Sequence, residues 1–519
     1  MSKKEIMTNW RWVMCAMLFF ATTVNYMDRQ VLSLTFKEFI QPEFHWTDSD
    51  YGTITGVFSI AYAIFCLFAG KFIDWMGTKK GYLWAIIVWS LGAVMHAGCG
   101  WVTEQVVGLE SKAALLEATG TIVSTISMVS VYLFLFCRLV LGLGEAGNFP
   151  AAIKVTAEYF PKKDRAFATA LFNAGASVGA LAAPATIPLL AKSLGWEMAF
   201  IIIGALGFIW AGIWIFVYDK PEESAHVNEA ELEYIHQDDV KASKEVAEEG
   251  KTITMLPYSW VFFVFAIGFM VLGGFVSNIF LKVTFFILAF ASLLLPFWNY
   301  FKYRQTWSFA FGKFMTDGVW WFFLFWTPAY FQDQFGIKAS DPQGIALIFT
   351  LYAIVTIVSL FGGYLPKIFV EKKGMEPYAG RMLAMMIFAF FPIIALFAQP
   401  LGGVYGPWAV AIIIGIVGAA HQSWSANIFS TTGDMFPKSA VAAVTGIGAM
   451  AGGVGSFLIN KGSGMLFDYA AQMGEAFKFA GFTGKPAGYM IIFCICAVAY
   501  LIGWSVMKTL VPKYEPVVV

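Results

Sequence analysis

Glu158-Tyr159-Phe160-Pro161-Lys162 returns later in the chain as Asp434-Met435-Phe436-Pro437-Lys438. The two segments stay in register beyond the pentapeptide: Ala166 matches Ala442, Thr169 matches Thr445 and Gly179 matches Gly455. Each copy stands directly before a Gly/Ala-rich apolar run. A duplication at this distance implies two copies of one supersecondary plan. It predicts parallel halves over 10–218 and 306–508, each of six helices.

Composition sets the solvent. Of 519 residues, 59% are hydrophobic and 13% are charged. A soluble domain carries about 25% charged residues, so this chain cannot cover itself in water. A soluble enzyme, a disordered chain, a collagen-like chain and a disulfide-stapled module are all excluded. Lys+Arg and Asp+Glu both number 34, which leaves no basic excess for nucleic acid. Of the six cysteines, all but Cys99 lie in apolar runs, and none forms a CxxC pair, so neither metal nor other cofactor is expected. Lys3, Lys4 and Arg11 precede an apolar run over 12–24, as in a signal peptide. No small-x-small cleavage site follows, so the run reads as a retained first span.

A membrane-crossing helix needs about 20 mostly apolar residues. Fourteen runs qualify: 10–36, 49–71, 79–99, 123–147, 166–190, 197–218, 256–277, 281–300, 306–331, 343–369, 381–399, 406–429, 440–463 and 487–508. Basic residues fall at alternate connections, among them Lys79-Lys80, Lys162-Lys163-Arg165, Lys302-Arg304 and Lys372-Lys373-Arg381. That pattern predicts both termini in the cytoplasm. The expected organisation is an N-terminal half (1–218), a charged, solvated cytoplasmic linker (219–255), an inserted transmembrane hairpin (256–300) turning at Ser277, Asn278 and Lys282, and a C-terminal half (301–519). Two extra crossings leave the orientation of everything after them unchanged. A substrate site is expected near the bilayer midplane between the halves.

Gly70-Lys71-Phe72-Ile73-Asp74-Trp75-Met76-Gly77-Thr78-Lys79-Lys80, between spans two and three, resembles the loop signature of the major facilitator superfamily. Trp75 stands where that signature has Arg. Asn25-Tyr26-Met27-Asp28-Arg29 and the run Arg138-Leu139-Val140-Leu141-Gly142-Leu143-Gly144-Glu145-Ala146-Gly147-Asn148-Phe149-Pro150 look like the anion:cation symporter branch. Tyr303-Arg304-Gln305-Thr306-Trp307, Asp317-Gly318-Val319-Trp320-Trp321 and His421-Gln422-Ser423-Trp424-Ser425-Ala426-Asn427-Ile428-Phe429 extend the similarity to bacterial hexuronate transporters. The resemblance covers nearly all of the chain except the hairpin and the segment near 101–122. It implies the major facilitator fold and a gating loop carried by Gly70, Asp74, Gly77, Lys79 and Lys80. It also implies a monomeric inner-membrane symporter that moves a sugar-acid anion with protons through the bilayer.

Charges inside spans point to function, because each costs about 2.5–3.5 kcal/mol on insertion scales. Arg138 and Glu145 lie seven residues apart on one helical face, with Asn148 one turn further. An Arg fork suits the carboxylate of a hexuronate; Arg138 is the first candidate and Arg29 the alternative. Asn148, Asn173, Asn427 and Tyr62 suit its hydroxyls because amides and phenols donate and accept, although Tyr62 also reads as an interfacial aromatic. Trp320 and Trp321 offer flat faces to the sugar ring or pack as ordinary core. His421 and Gln422 read equally as helix contacts or as ligands. Asp28 and Glu145 are the expected proton carriers. A buried carboxylate holds or releases its proton according to its hydration and its nearest guanidinium, and both change as a cavity opens. The expectation is a proton-coupled hexuronate importer and not an enzyme. An aldonate such as galactonate is the alternative solute, and a membrane-embedded sensor or enzyme is the alternative of another class.

Overall fold

The computed structural model describes residues 7–237, 253, 255–256, 259–276 and 278–517. Lys3, Lys4, Ser277 and the acidic stretch of the linker from Asp238 to Glu245 lie outside the described residues. Among the described residues the regular structure is all helical apart from a two-residue hairpin ladder, Lys478–Phe479 with Phe482–Thr483. In order, the long helices are α1 (Trp10–Thr35), α2 (Asp48–Met76), α3 (Thr78–Ala97), α4 (Ile122–Glu145), α5 (Lys162–Leu194), α6 (Trp196–Val217), α7 (Ser259–Phe275) and α8 (Ile279–Leu294). They continue with α9 (Arg304–Phe335), α10 (Pro342–Lys373), α11 (Pro377–Phe390), α12 (Pro407–Met435), α13 (Lys438–Met473) and α14 (Lys485–Leu510). The repeat places α5 and α13 alike: Pro161 and Pro437 stand just before their first turns, where a fixed φ and a missing N–H cost nothing.

Among the described residues, ten helical stretches are long and apolar enough to cross a membrane. They become eleven if α3 and the following helix Cys99–Val107, bent by 48°, form one span. This makes the chain a multi-pass membrane protein, with fewer qualifying helices than the fourteen runs expected. Outside that set fall α7, with 17 residues, and the long helices α1 and α9, which carry Asp28, Arg29, Lys313 and Asp317 in their interiors.

Helix contacts repeat across the two copies. Helix α1 lies along α5 as α9 lies along α13, and the copies meet where α2 packs on α13 and α5 on α10. Small residues permit the close approaches. A Cβ on Gly179 would fall on the carbonyl oxygen of Thr23, and one on its repeat mate Gly455 would fall on that of Phe314. Gly144 and Gly147 admit α3 to α4 in the same way, against Trp89 and Ala85.

The two ends of the bundle differ. At the end where α1 begins and α14 finishes, here the terminal end, the ion pairs among the described residues stay within one copy: Lys79–Asp219 at 2.8 Å, Lys154–Asp74 at 2.6 Å, Arg304–Glu515 and Arg381–Asp434. At the far end the copies are bridged. Lys37 reaches Asp333 at 2.9 Å and Asp48 at 3.3 Å, while Lys485 reaches both carboxylates at 2.5 Å. Asp468 accepts the first N–H groups of α2, from Asp48 at 2.9 Å and Ser49 at 2.7 Å, where a helix N-terminus favours an anion.

The described part of the linker is not simply solvated. Its helix Glu229–Ile235 brings Glu231, wholly buried, under the start of α1. The carboxylate accepts the N–H groups of Trp10 at 2.8 Å and Arg11 at 3.1 Å, and pairs with the Arg11 guanidinium at 3.0 Å. Helices α7 and α8 pack on each other, with Phe269 stacked on Phe285. Asn278 caps α8 by accepting from Phe280 N, and Leu256 N donates to Pro296 O, so the hairpin leaves and rejoins the chain at one place.

The glycine contacts are directly testable. Gly144→Ala should lower the melting temperature of purified protein by several degrees, since over-packing costs about 1–3 kcal/mol. Gly212→Ala on α6, with nothing within 4 Å of the new methyl, should leave it unchanged or slightly raised. Equal melting of the two variants would contradict this packing.

Candidate substrate site

Four buried charges from two helices form the centre of the N-terminal copy. Asp28 and Arg29 lie on α1, Arg138 and Glu145 on α4, and none is more than 6% exposed. The Arg29 guanidinium donates to Glu145 Oε2 from Nη2 at 2.7 Å and from Nε at 3.1 Å. It also sits over three aromatic faces: Tyr62 of α2 at 4.7 Å, Trp321 of α9 at 5.2 Å and Tyr26 at 5.3 Å. Trp321 belongs to the other copy, so Arg29 touches both.

Arg138 is held differently. Its guanidinium lies 5.3 Å from the Phe58 ring, and none of its three nitrogens has a hydrogen-bond partner. Both oxygens of Asp28 and Oε1 of Glu145 are equally without partners. Asp28 and Arg138 act on each other through space only. Buried polar groups are normally satisfied, so the unpartnered guanidinium and carboxylate oxygens leave hydrogen-bonding capacity unused in a buried position. The two acids and two bases cancel in formal charge.

The remaining sequence-predicted residues divide. Asn148 is buried, accepts from Tyr82 O–H at 2.8 Å and leaves its Nδ2 unpartnered. The helix pauses at 146–147 before it, so Asn148 opens the separate helix Asn148–Tyr159 and not a further turn of α4. Asn427 turns back on its own helix, donating to Ser423 O at 2.8 Å. Gln422 is half-buried. Asn173 is exposed on α5 and takes no part in the cluster's hydrogen bonds. Trp320 stacks on His421, centroids 5.3 Å apart and planes 1° from parallel. In the gating loop, Gly77 has φ 78° and separates α2 from α3, Gly70 is open, Lys80 is exposed, and Trp75 is 80% exposed. Asp74 and Lys79 make the pairs with Lys154 and Asp219.

The repeat register relates the copies residue by residue. Gly179 and Gly455 are mates and meet Thr23 and Phe314, so Arg29 on α1 corresponds to Trp320 on α9. The pentapeptide register independently pairs Glu145 with His421. Arg29 touches Glu145, and their mates Trp320 and His421 also touch. One copy supplies an ion pair where the other supplies an aromatic stack, steadied by Tyr500 O–H at 2.7 Å from His421 Nδ1.

Sequence reasoning missed an ion pair in the second copy. Lys313 and Asp317 of α9 lie 2.8 Å apart and both are largely buried. A Lys and an Asp spaced i, i+4 inside an apolar helix was the available signal.

The family model described as Major Facilitator Superfamily matches residues 18–459. The hexuronate transporter of Escherichia coli K12 is 25% identical over 504 residues, covering 96% of this chain and 94% of that protein. The galacturonate transporter of Dickeya chrysanthemi is 24% identical over 394 residues, covering 75% of this chain and 92% of that protein. Among solved structures, a bacterial homolog of the human lysosomal transporter Spinster superposes with TM-score 0.61 at 16% identity, covering 98% of this chain and 99% of that one. It was solved in an inward-facing, unoccupied conformation.

The unequal state of the two arginines has a measurable consequence. Arg29→Gln should lower the melting temperature markedly, because breaking a buried pair costs about 3–5 kcal/mol. Arg138→Gln loses no hydrogen bond and should melt within a few degrees of the parent. A larger loss for Arg138→Gln would show that Arg138 is structurally engaged.

Proposed function

Because the chain belongs to the major facilitator superfamily, we propose that it imports hexuronates such as galacturonate and glucuronate with protons, by alternating access, across an inner membrane. The observation that carries the reading is the Arg138 guanidinium, buried with no hydrogen-bond partner beside Asp28 and Glu145. A guanidinium fork fits a carboxylate with two parallel hydrogen bonds. The Asn148 amide and the Tyr62 phenol lie on the helices around it and suit sugar hydroxyls. Trp321 supplies an apolar face.

Charge supports the coupling. The four buried groups sum to zero, so a monoanion entering a closed, poorly hydrated site leaves it negative. A proton on Glu145 or Asp28 restores neutrality. Protonated Glu145 also loosens its hold on Arg29, freeing a second guanidinium for the sugar acid. In this reading all fourteen runs cross the bilayer, both termini face the cytoplasm, the protein works as a monomer, and the loop at 70–80 gates the cytoplasmic end. The names of the two relatives favour hexuronate. An aldonate such as galactonate fits the same fork and is the alternative solute.

Purified protein should melt at higher temperature with galacturonate or glucuronate than with neutral hexoses at equal concentration. Arg138→Lys, which keeps the charge and loses the fork, should abolish most of that shift. A shift with galactonate alone moves the assignment to the alternative. A shift with neutral hexoses as large as with sugar acids overturns the carboxylate reading.

A further inference from the structure

We propose that Lys313 and Asp317 of α9 form a second carboxylate site, nearer the terminal end than Asp28, which takes the sugar acid's carboxylate on its way to release. The proposal rests on the sugar-acid reading above.

The pair has no evident structural task. Both residues lie on one helix, so their ion pair joins no element to another. Among the described residues the other buried pairs do: Arg29–Glu145 ties α1 to α4, and Arg11–Glu231 ties α1 to the linker. An ammonium has three donors. Lys313 Nζ spends one on Asp317 Oδ1 at 2.8 Å and faces the Phe429 ring at 4.5 Å, with no further acceptor among the described residues. Lys313 is also the one buried cation of the second copy among the described residues.

Its depth follows from the repeat. Because Phe314 corresponds to Thr23, Lys313 corresponds to Thr22 and Asp317 to Tyr26. At 1.5 Å rise per residue, Asp317 lies about 3 Å and Lys313 about 9 Å closer to the terminal end than Asp28. Asp317 and Trp321 are four residues apart and share a face of α9, and Trp321 is one of the three aromatic residues over Arg29. The stripe Trp321, Asp317, Lys313 therefore runs from the central charges toward the terminal end. Asp317 lies close against Gly452 of α13, where a Cβ would fall on its Oδ2.

The handover balances. A proton on Asp317 frees Lys313 to hold a second carboxylate fully; the proton adds one positive charge and the arriving anion one negative charge, so the occupied site is neutral again. Anion and proton thus advance together from the first site to the second.

The test uses full-length protein in proteoliposomes with glucuronate as the probe. Lys313→Gln should slow glucuronate uptake about tenfold, the effect of losing roughly one charged contact, while glucuronate still raises the melting temperature through Arg138. Lys313→Arg should recover most of the rate. Asp317→Asn, which imitates the protonated acid and leaves Lys313 charged, should bind glucuronate more tightly and release it more slowly. Wild-type rates in the double variant Lys313→Met/Asp317→Leu, or unchanged affinity and rate in Asp317→Asn, overturn the proposal. A wild-type protein that glucuronate neither stabilises nor crosses overturns the sugar-acid reading itself, and the second site falls with it.

Discussion

The hydrogen-bonded pair between Arg29 and Glu145 is the constraint around which the N-terminal copy is arranged. It joins α1 to α4 at a depth where a lone charge is strongly disfavoured. It fixes the guanidinium under Tyr62 and Trp321, and so sets how the other copy meets this one. Arg29 is engaged by Glu145 Oε2, while Asp28, Arg138 and Glu145 Oε1 are left without direct partners.

The two copies have diverged at this position. The register that equates Gly179 with Gly455 sets Trp320 and His421 where the first copy has Arg29 and Glu145. At this position the first copy carries an ion pair and the second an aromatic stack. A sugar acid has the same division, with a carboxylate at one end and a ring with apolar faces. At the far end, Lys37, Asp48, Asp333 and Lys485 form a network of four ion pairs, two of which, Lys37–Asp333 and Lys485–Asp48, draw the copies together. No comparable bridge crosses the terminal end among the described residues. The structure is therefore a state closed at the far end, and opening that end requires these ion pairs to part.

Much of this was legible in the sequence, for identifiable reasons. The repeat at Glu158 and Asp434 survives because a proline-started helix and a glycine contact are needed in both copies, and the equivalent placing of α5 and α13 follows from it. Asp28, Arg29, Arg138 and Glu145 stood out because charges inside apolar runs have few structural uses. Asn173 did not join them: its position on α5 was known, but not that the residue stays exposed there. Lys37, Asp48, Asp333 and Lys485 lie at helix ends, where charges are ordinary, and only tertiary contact shows that they act together. Lys313 was hidden by its neighbour, since Asp317 was read as part of a family motif and not as half of an ion pair. Glu231 was hidden among the acids of the linker, where nothing local distinguishes a buried carboxylate from a solvated one.

The central claim is that anion and proton enter one neutral buried site together. The most direct measurement is the internal pH of proteoliposomes carrying a trapped indicator, with equal buffer on both sides and no voltage. Adding galacturonate or glucuronate outside should acidify the lumen as the substrate enters, and Glu145→Gln protein should lose the response while still exchanging substrate for substrate. Substrate entry with no change of internal pH, or with alkalinisation, would contradict the account.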